Sequence, residues 1–315
     1  MTIDETFHAG ERAVQQRVGR TLGEDITQRL AEVGPRVIRD FMPDQHREFF
    51  AQLPFIVVGS IDAAGQPWAS ILAQPPGFVT APTPRLLHID ALPANSDPLA
   101  TALRAGATVG LLGIEPHTRR RNRLNGIVDA MDDGGFSVAV RQSFGNCPKY
   151  IQAREPHYAA VAETPRCARA SILDERAQRL IRTADTFFIA SAHPAAASDA
   201  GRAHGVDVSH RGGRPGFVRV DSERTLTAPD FVGNFYFNTL GNLALEPRAG
   251  LLFVDFERGD LLYVATRVRV IWDGPELAAF AGAERLLHME VESTLYAEHA
   301  LPLRWGPAVP SPFLP

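Results

Sequence analysis

Apolar and polar positions change rhythm several times along this chain, and each change predicts an element. Over residues 9–18, Ala9, Ala13, Val14 and Val18 recur at helical spacing among helix formers, with Gly19 as the stop. A second helix is predicted over residues 43–52. Pro43 suits its first turn, Asp44 complements the positive helix end, and Phe49 and Phe50 anchor it. The pattern then becomes short and β-rich. Residues 55–61, the connection Asp62-Ala63-Ala64-Gly65 and the segment after it read as a hairpin. Strands follow over residues 85–90, 109–114, 123–131 and 136–144, with a helix over 97–103. About six short antiparallel strands with one inserted helix suggest a small barrel.

The second half repeats this order. Phe188-Ile189-Ala190-Ser191 resembles Val57-Val58-Gly59-Ser60, and Pro215-Gly216-Phe217-Val218 repeats Pro76-Gly77-Phe78-Val79. Gly77 precedes Gly110-Leu111-Leu112 by 33 residues, and Gly216 precedes Gly250-Leu251-Leu252 by 34. An internal repeat at this spacing predicts two copies of one barrel. Residues 153–173 read as an irregular boundary, followed by a helix over 174–183. Pro302, Pro307, Pro310, Pro312 and Pro315 predict an extended tail.

Composition narrows the class. A chain of 315 residues, 45% hydrophobic and 22% charged, suits a globular protein of two domains. Its net charge of -4 argues against a general nucleic-acid binder, although a local basic patch can still hold one small anion. Cys147 and Cys167 lack metal or disulfide spacing and fit a reducing cytoplasm. The N-terminus has no signal-peptide pattern, and the longest apolar stretch is about half of the roughly 20 residues a membrane helix needs.

Candidate chemistry concentrates in residues 205–262. The Gly-rich segment Ser209-His210-Arg211-Gly212-Gly213 reads as a polar turn, either a simple basic hairpin or a cradle for phosphate oxygens. Aligned on the Pro-Gly-Phe-Val motifs, Ser70 and Ser209 share an offset. The first copy then continues Ile71-Leu72-Ala73 where the second has His210-Arg211-Gly212. One apolar and one polar copy suggest a single working site, with Arg211 reaching solvent or meeting an anion. Asn234, Asn238, Thr239 and Asn242 stand where a helix should begin, so Asn238 and Thr239 either cap it or seat a phosphate. In the first half, Arg119, Arg120, Arg121 and Arg123 precede or open a strand, with alternation placing Arg119, Arg121 and Arg123 on one face; a solvated turn is the other reading. The loop over residues 143–151 carries Asn146, Cys147, Lys149 and Tyr150, with Cys147 better read as a structural thiol than a nucleophile.

These residues resemble the pyridoxamine 5'-phosphate oxidase-like family of FMN-binding split barrels. QLPFIVVGSIDAAGQPWASIL is similar to that family's opening hairpin, and VDVSHRGGRPGFVRV through GNFYFNTLGNLALEPRAGLLF to its cofactor-bearing strands, over roughly residues 43–275. The resemblance implies a mainly β fold with flanking helices, two tandem split barrels, and an FMN whose phosphate lies near Ser209, His210, Arg211, Gly212, Asn238 and Thr239. Asn238 and Thr239 stand where the family's helix usually begins with basic residues. Asn234, Asn146, Lys149 and Tyr150 are expected to complete the groove. The implied domains are a helical segment over 1–42, a first barrel over 43–160, a cofactor-bearing barrel over 161–290 and a Pro-rich tail over 291–315.

No G-x-G-x-x-G, P-loop, G-x-S-x-G or H-E-x-x-H motif occurs, and the ten histidines show no metal-ligand spacing. Two functions remain open. One is an FMN-dependent oxidoreductase with a small-molecule substrate or electron donor. The other is a non-catalytic protein that binds flavin, haem or another phosphorylated ligand, with His193, His204 and His210 as the haem-ligand candidates. Neither nucleic acid nor membrane is an expected partner, and a homodimer is a candidate assembly.

Overall fold

The computed structural model describes residues 6–159, 165–198 and 201–315. Three helices come first: α1 (Ala9–Leu22), α2 (Ile26–Val37) and α3 (Asp44–Ala51). The first sheet comprises β1 (Phe55–Ile61), β2 (Pro67–Ala73), β3 (Val79–Thr83), β4 (Leu86–Ile89), β5 (Thr108–Glu115), β6 (Arg120–Met131) and β7 (Phe136–Gly145), with α4 (Pro98–Ala102) inserted before β5. Short strands β8 (Pro156–Tyr158) and β9 (Arg166–Ala170) lead to α5 (Glu175–Thr183). The second sheet comprises β10 (Thr186–Ala192), β11 (Val206–Gly212), β12 (Arg219–Ser222), β13 (Thr225–Asp230), β14 (Arg248–Val254), β15 (Leu261–Ile271) and β16 (Arg285–Glu298), with α6 (Asn238–Leu245) before β14. Strand β17 (Leu303–Trp305) pairs with β8.

Both sheets follow one strand order. The first runs β2-β1-β5-β6-β7-β4-β3 and the second β11-β10-β14-β15-β16-β13-β12, with β9 added beside β16. The fold is mainly β, two tandem split barrels with flanking helices. Their contact explains why β1 and β10 read as unbroken apolar runs rather than alternating ones. Ile56 and Val58 point into the first barrel's core with Phe49, Phe50 and Leu111, whereas Val57 points into the layer between the barrels. In β10, Phe187 and Ile189 face the second core, and Phe188 and Ala190 face that same layer with Trp68, Leu252 and Tyr263. Strands buried on both faces carry apolar residues at every position.

Several expectations change. Gly19 lies inside α1, which ends at Gly23 with φ 69°. A helical glycine costs about 1 kcal/mol against alanine, and here a Cβ on Gly19 would lie 2.5 Å from the Glu24 carbonyl oxygen at the start of the next helix. Helix α2 was not anticipated. Its internal Pro35 hides it from a pattern reading, yet its apolar face packs Ile26 and Leu30 into the second barrel's core. The segment expected to be irregular contains β8 and β9, and β16 runs through position 290 to Glu298. The tail after β16 has no helix, as expected, and is anchored: the buried Ser311 donates its N–H to Gln152 Oε1 at 2.8 Å.

The largest change concerns Ser209 to Gly212, expected as a turn. They form the end of β11, paired in register with β10 through Ile189–Ser209, Phe188–His210, Phe187–Arg211 and Thr186–Gly212. The antiparallel ladder pairs this segment with β10 on one side only, and since β11 is the edge of its sheet, the side chains and the outward backbone groups are what it can offer. The turn itself comes later, around Gly216 with φ 86°. Gly212 serves close packing, since a Cβ there would lie 1.9 Å from the Tyr150 carbonyl oxygen.

Candidate functional site

A cavity of about 100 Å³ opens where the first barrel's β6 and the loop after β7 meet β11, β13 and the start of α6. Each element presents its polar residues there for a local reason. Strand alternation sends Ser209 and Arg211 to one face of β11, while a second alternating pair, Arg121 and Arg123, crosses from β6 of the other barrel. The predicted residues Ser209, His210, Arg211 and Gly212 all line the cavity. So do Asn234, Asn238 and Thr239 from the α6 approach, and Asn146, Lys149 and Tyr150 from the first barrel. Asn242 lies deeper in α6, its Nδ2 donating to Ser191 Oγ at 3.2 Å.

Arg123 sits at the centre of the network. Its guanidinium donates to Ser209 Oγ at 2.5 Å and Asn238 Oδ1 at 2.8 Å, and pairs with Asp207 at 2.5 Å. Thr239 Oγ1 completes this cluster, 3.0 Å from Ser209 Oγ. Neither Asn238 nor Thr239 caps its helix: residue 237 holds the N-cap position, with no side-chain cap bond. Their side chains are instead spent on tertiary contacts, since Asn238 Nδ2 donates to Glu11 Oε1 of α1 at 2.5 Å.

Arg211 meets an anion supplied by the protein, Asp230, which also pairs with Arg285 at 2.8 Å. Of the two expectations for Arg211, reaching solvent or meeting an anion, the second holds, and the anion is a carboxylate of the same chain. Arg121 differs. It donates to the Cys147 carbonyl at 2.8 Å and the His210 carbonyl at 3.3 Å, and no carboxylate pairs with it among the described residues. Burial, followed by the charges of Arg123 and Arg211, pushes its pKa down to about 9. A guanidinium stays protonated at neutral pH, so such a displacement marks a cation short of counter-charge.

Unpartnered side-chain nitrogens gather at the same place. Among buried side-chain nitrogens without a hydrogen-bond partner are Arg123 Nε, Arg211 Nε, Asn146 Nδ2 and His210 Nδ1, all from cavity residues. His210 is held well below the ordinary imidazole range by burial and then by Arg121 and Arg211, so its ring is neutral. Backbone strain collects here too: of five non-glycine residues with positive φ among those described, Tyr150, Phe235 and Phe237 line the cavity. Such conformations cost about 1–3 kcal/mol each and mark sites the surrounding fold has over-determined.

Sequence reasoning missed Asp207, Asp230 and Glu11, whose roles depend on register and on a distant helix. Arg119 was expected beside Arg121 and Arg123. It precedes β6 with φ 55°, out of the strand's alternation, and donates to the Val309 and Pro310 carbonyls of the tail. Cys147 lines the cavity as a free, half-buried thiol with no base bonded to its sulfur among the described contacts. His193 and His204 stack on each other with ring centroids 4.1 Å apart, and neither lines this cavity.

Residues 42–168 match the family described as pyridoxamine 5'-phosphate oxidase. Over those residues, which hold the first barrel, the chain is similar to that family. Among solved structures, this split barrel is similar to a protein related to general stress protein 26 of B. subtilis (pyridoxinephosphate oxidase family) from Clostridium acetobutylicum. That similarity is at 9% identity, covering 42% of this chain and 91% of that one, TM-score 0.31. It is also similar to an FMN-binding protein from Syntrophomonas wolfei, at 11% identity, 38% and 86% coverage and TM-score 0.26. An F420 reductase matches at 13% identity, 37% and 94% coverage and TM-score 0.28. No curated protein matches the chain.

A flavin phosphate suits the donor set. Arg121, Arg123, Arg211 and Lys149 ring the cavity, whereas the carboxylates that reach them are Asp207 and Asp230. At about 100 Å³ the enclosed space is of phosphate size, well below the roughly 300 Å³ or more of a site that encloses a whole cofactor. The rest of a nucleotide would lie outside it.

Proposed function

We propose that the cavity binds the phosphate of FMN and that the protein is a flavin-dependent oxidoreductase acting on a small molecule. The observation that carries this reading is Arg121, a part-buried guanidinium without a carboxylate partner among the described residues, lining a cavity where side-chain nitrogens of Arg123, Arg211, Asn146 and His210 also lack a partner. Arg121 supplies charge that a phosphate dianion needs, and Arg123 and Arg211 each keep an Nε–H without a partner beside it. Ser209 and Thr239 hold Arg123 in position, and Lys149 and Tyr150 also line the cavity. A bound flavin supplies hydride or electron transfer, and the protein supplies binding, orientation and electrostatics. The shared strand order and the Pro-Gly-Phe-Val correspondence support a duplication, with one copy keeping the polar site.

The test compares FMN with riboflavin, which lacks the phosphate. FMN is expected to bind at least tenfold tighter, and Arg121→Gln to remove most of that difference, about 1.5–3 kcal/mol for one charged hydrogen bond. Protein that stays colourless and takes up no FMN on incubation rejects the reading. A second reading, binding without turnover, draws on the ion-paired state of Asp207 and Asp230 and the neutral, buried His210, which leave no unpaired carboxylate and no imidazolium among the described cavity residues for proton transfer. Reduction of bound flavin by a nicotinamide donor, followed by reoxidation, separates the two.

A further inference from the structure

The two barrels make a second inter-barrel cavity, of about 290 Å³, whose chemistry is the reverse of the first. Register identifies its position. In the first barrel Val57 pairs with both Ile71 and Leu112; in the second Phe188 pairs with both His210 and Leu252. Leu112 faces Arg123 across β5–β6, and Leu252 faces Tyr263 across β14–β15. Tyr263 therefore holds the position of Arg123, and Ser70 that of Ser209. By the same count Leu72 stands for Arg211 and Leu261 for Arg121. The contacts follow suit: Arg123 crosses to Ser209 and Asn238 of the second barrel, and Tyr263 crosses to Asp97, which Ser70 also contacts, in the first.

The exchange inverts the charge. Among the described residues lining this cavity the sole ionisable groups are Asp97 and Tyr263, and no lysine, arginine or histidine is present. Asp97 Oδ1 accepts from Ser70 Oγ at 2.5 Å and the Leu99 N–H at 2.8 Å, and Oδ2 accepts from Tyr263 Oη at 2.7 Å. All three donors are neutral. A carboxylate has about four acceptor sites, so Oδ2 keeps one, and the residue is 8% exposed. Leu72, Leu261, Ala297 and Leu301 supply apolar walls, with Leu92 exposed at the edge. Burial raises the carboxyl above its ordinary range, a direction that an arriving cation reverses. A phosphate finds no donor charge here, and a single carboxylate is too few for a metal ion.

We propose that this second cavity binds a small organic cation, an amine carried on an apolar body, with its ammonium on Asp97 Oδ2. The site is separate from the flavin reading and takes no second flavin. Titration calorimetry with benzylamine and with benzyl alcohol, nearly the same shape without the charge, tests it on the full chain. Benzylamine is expected to bind at least tenfold tighter than the alcohol. Asp97→Asn, which retains a helix-capping side chain, is expected to abolish that preference and leave FMN titration unchanged. A second variant, Ala300→Phe, should block both ligands by filling the cavity and so decides the matter if Asp97→Asn fails to fold. Equal affinities for amine and alcohol in the native protein, a preference that survives Asp97→Asn, or amine binding undiminished by Ala300→Phe would each overturn the proposal.

Discussion

Two side chains at the start of α1 set a pH response for the second barrel. His8 and Glu11 form a capping box, with the His8 N–H donating to Glu11 Oε2 at 2.8 Å. Their side chains lie 3.6 Å apart, a spacing that would suit an ion pair, yet burial works on both against charge. It lowers His8 to about 3, with His193 and His204 adding to the effect, and raises Glu11 to about 8. The pair is therefore mainly neutral near pH 7. For Glu11 the folded protein keeps a proton that the unfolded chain releases, so its contribution is full below about 4.5 and is lost as pH rises toward about 8. His8 acts oppositely: its contribution is present above 6.5 and is lost as pH falls toward about 3. Glu11→Gln should remove the alkaline loss, so the variant gains on the native protein between about pH 5 and about pH 8.5 in urea unfolding. Parallel stability profiles would show that Glu11 does not titrate in this window.

At the scale of elements, helices α1 and α6 cross at a glycine pair. A Cβ on Gly10 would lie 2.1 Å from the Gly241 carbonyl oxygen, and one on Gly241 would lie 2.6 Å from the Glu11 nitrogen. This close approach is what lets Glu11 reach Asn238 at the head of α6. Gly10→Ala is expected to destabilise the protein by about 1–3 kcal/mol through overpacking. It should also weaken FMN binding, because Asn238 shares Arg123 with the cavity; a stability loss with unaltered FMN affinity would separate the clamp from the site. Nothing in the sequence pairs residues 231 apart, so this contact was illegible, as was α2 with its internal proline. What could be read was the set of polar residues lacking a core role: all ten predicted site residues line one cavity. What misled was local chemistry. Ser209-His210-Arg211-Gly212-Gly213 has the composition of a turn, and only its partner strand β10 makes it a strand. The tertiary ladder overrode the propensity.

For the whole molecule, the question is whether two barrels of like topology behave as two units or one. The repeated Gly110-Leu111-Leu112 and Gly250-Leu251-Leu252 segments bear on it directly. A Cβ on Gly110 would lie 2.6 Å from the Val206 carbonyl oxygen of β11, and one on Gly250 would lie 2.2 Å from the Pro67 carbonyl oxygen of β2. Each glycine thus admits a strand of the opposite sheet, and the two contacts are counterparts: Gly110 pairs with Gly59 and Gly250 with Ala190, at matching register. The layer so closed holds Trp68, Phe188, Leu252 and Tyr263, and both cavities open at its margins. Neither barrel can keep that layer dry alone, because residues of both build it. Gly110→Ala and Gly250→Ala should each cost about 1–3 kcal/mol, or more where backbone must shift. Hydrogen exchange gives the decisive reading: each variant is expected to lower amide protection in both sheets together, as one cooperative unit. Loss confined to the substituted sheet would mean that the barrels open independently, and sites built from both would then open with whichever barrel is weaker.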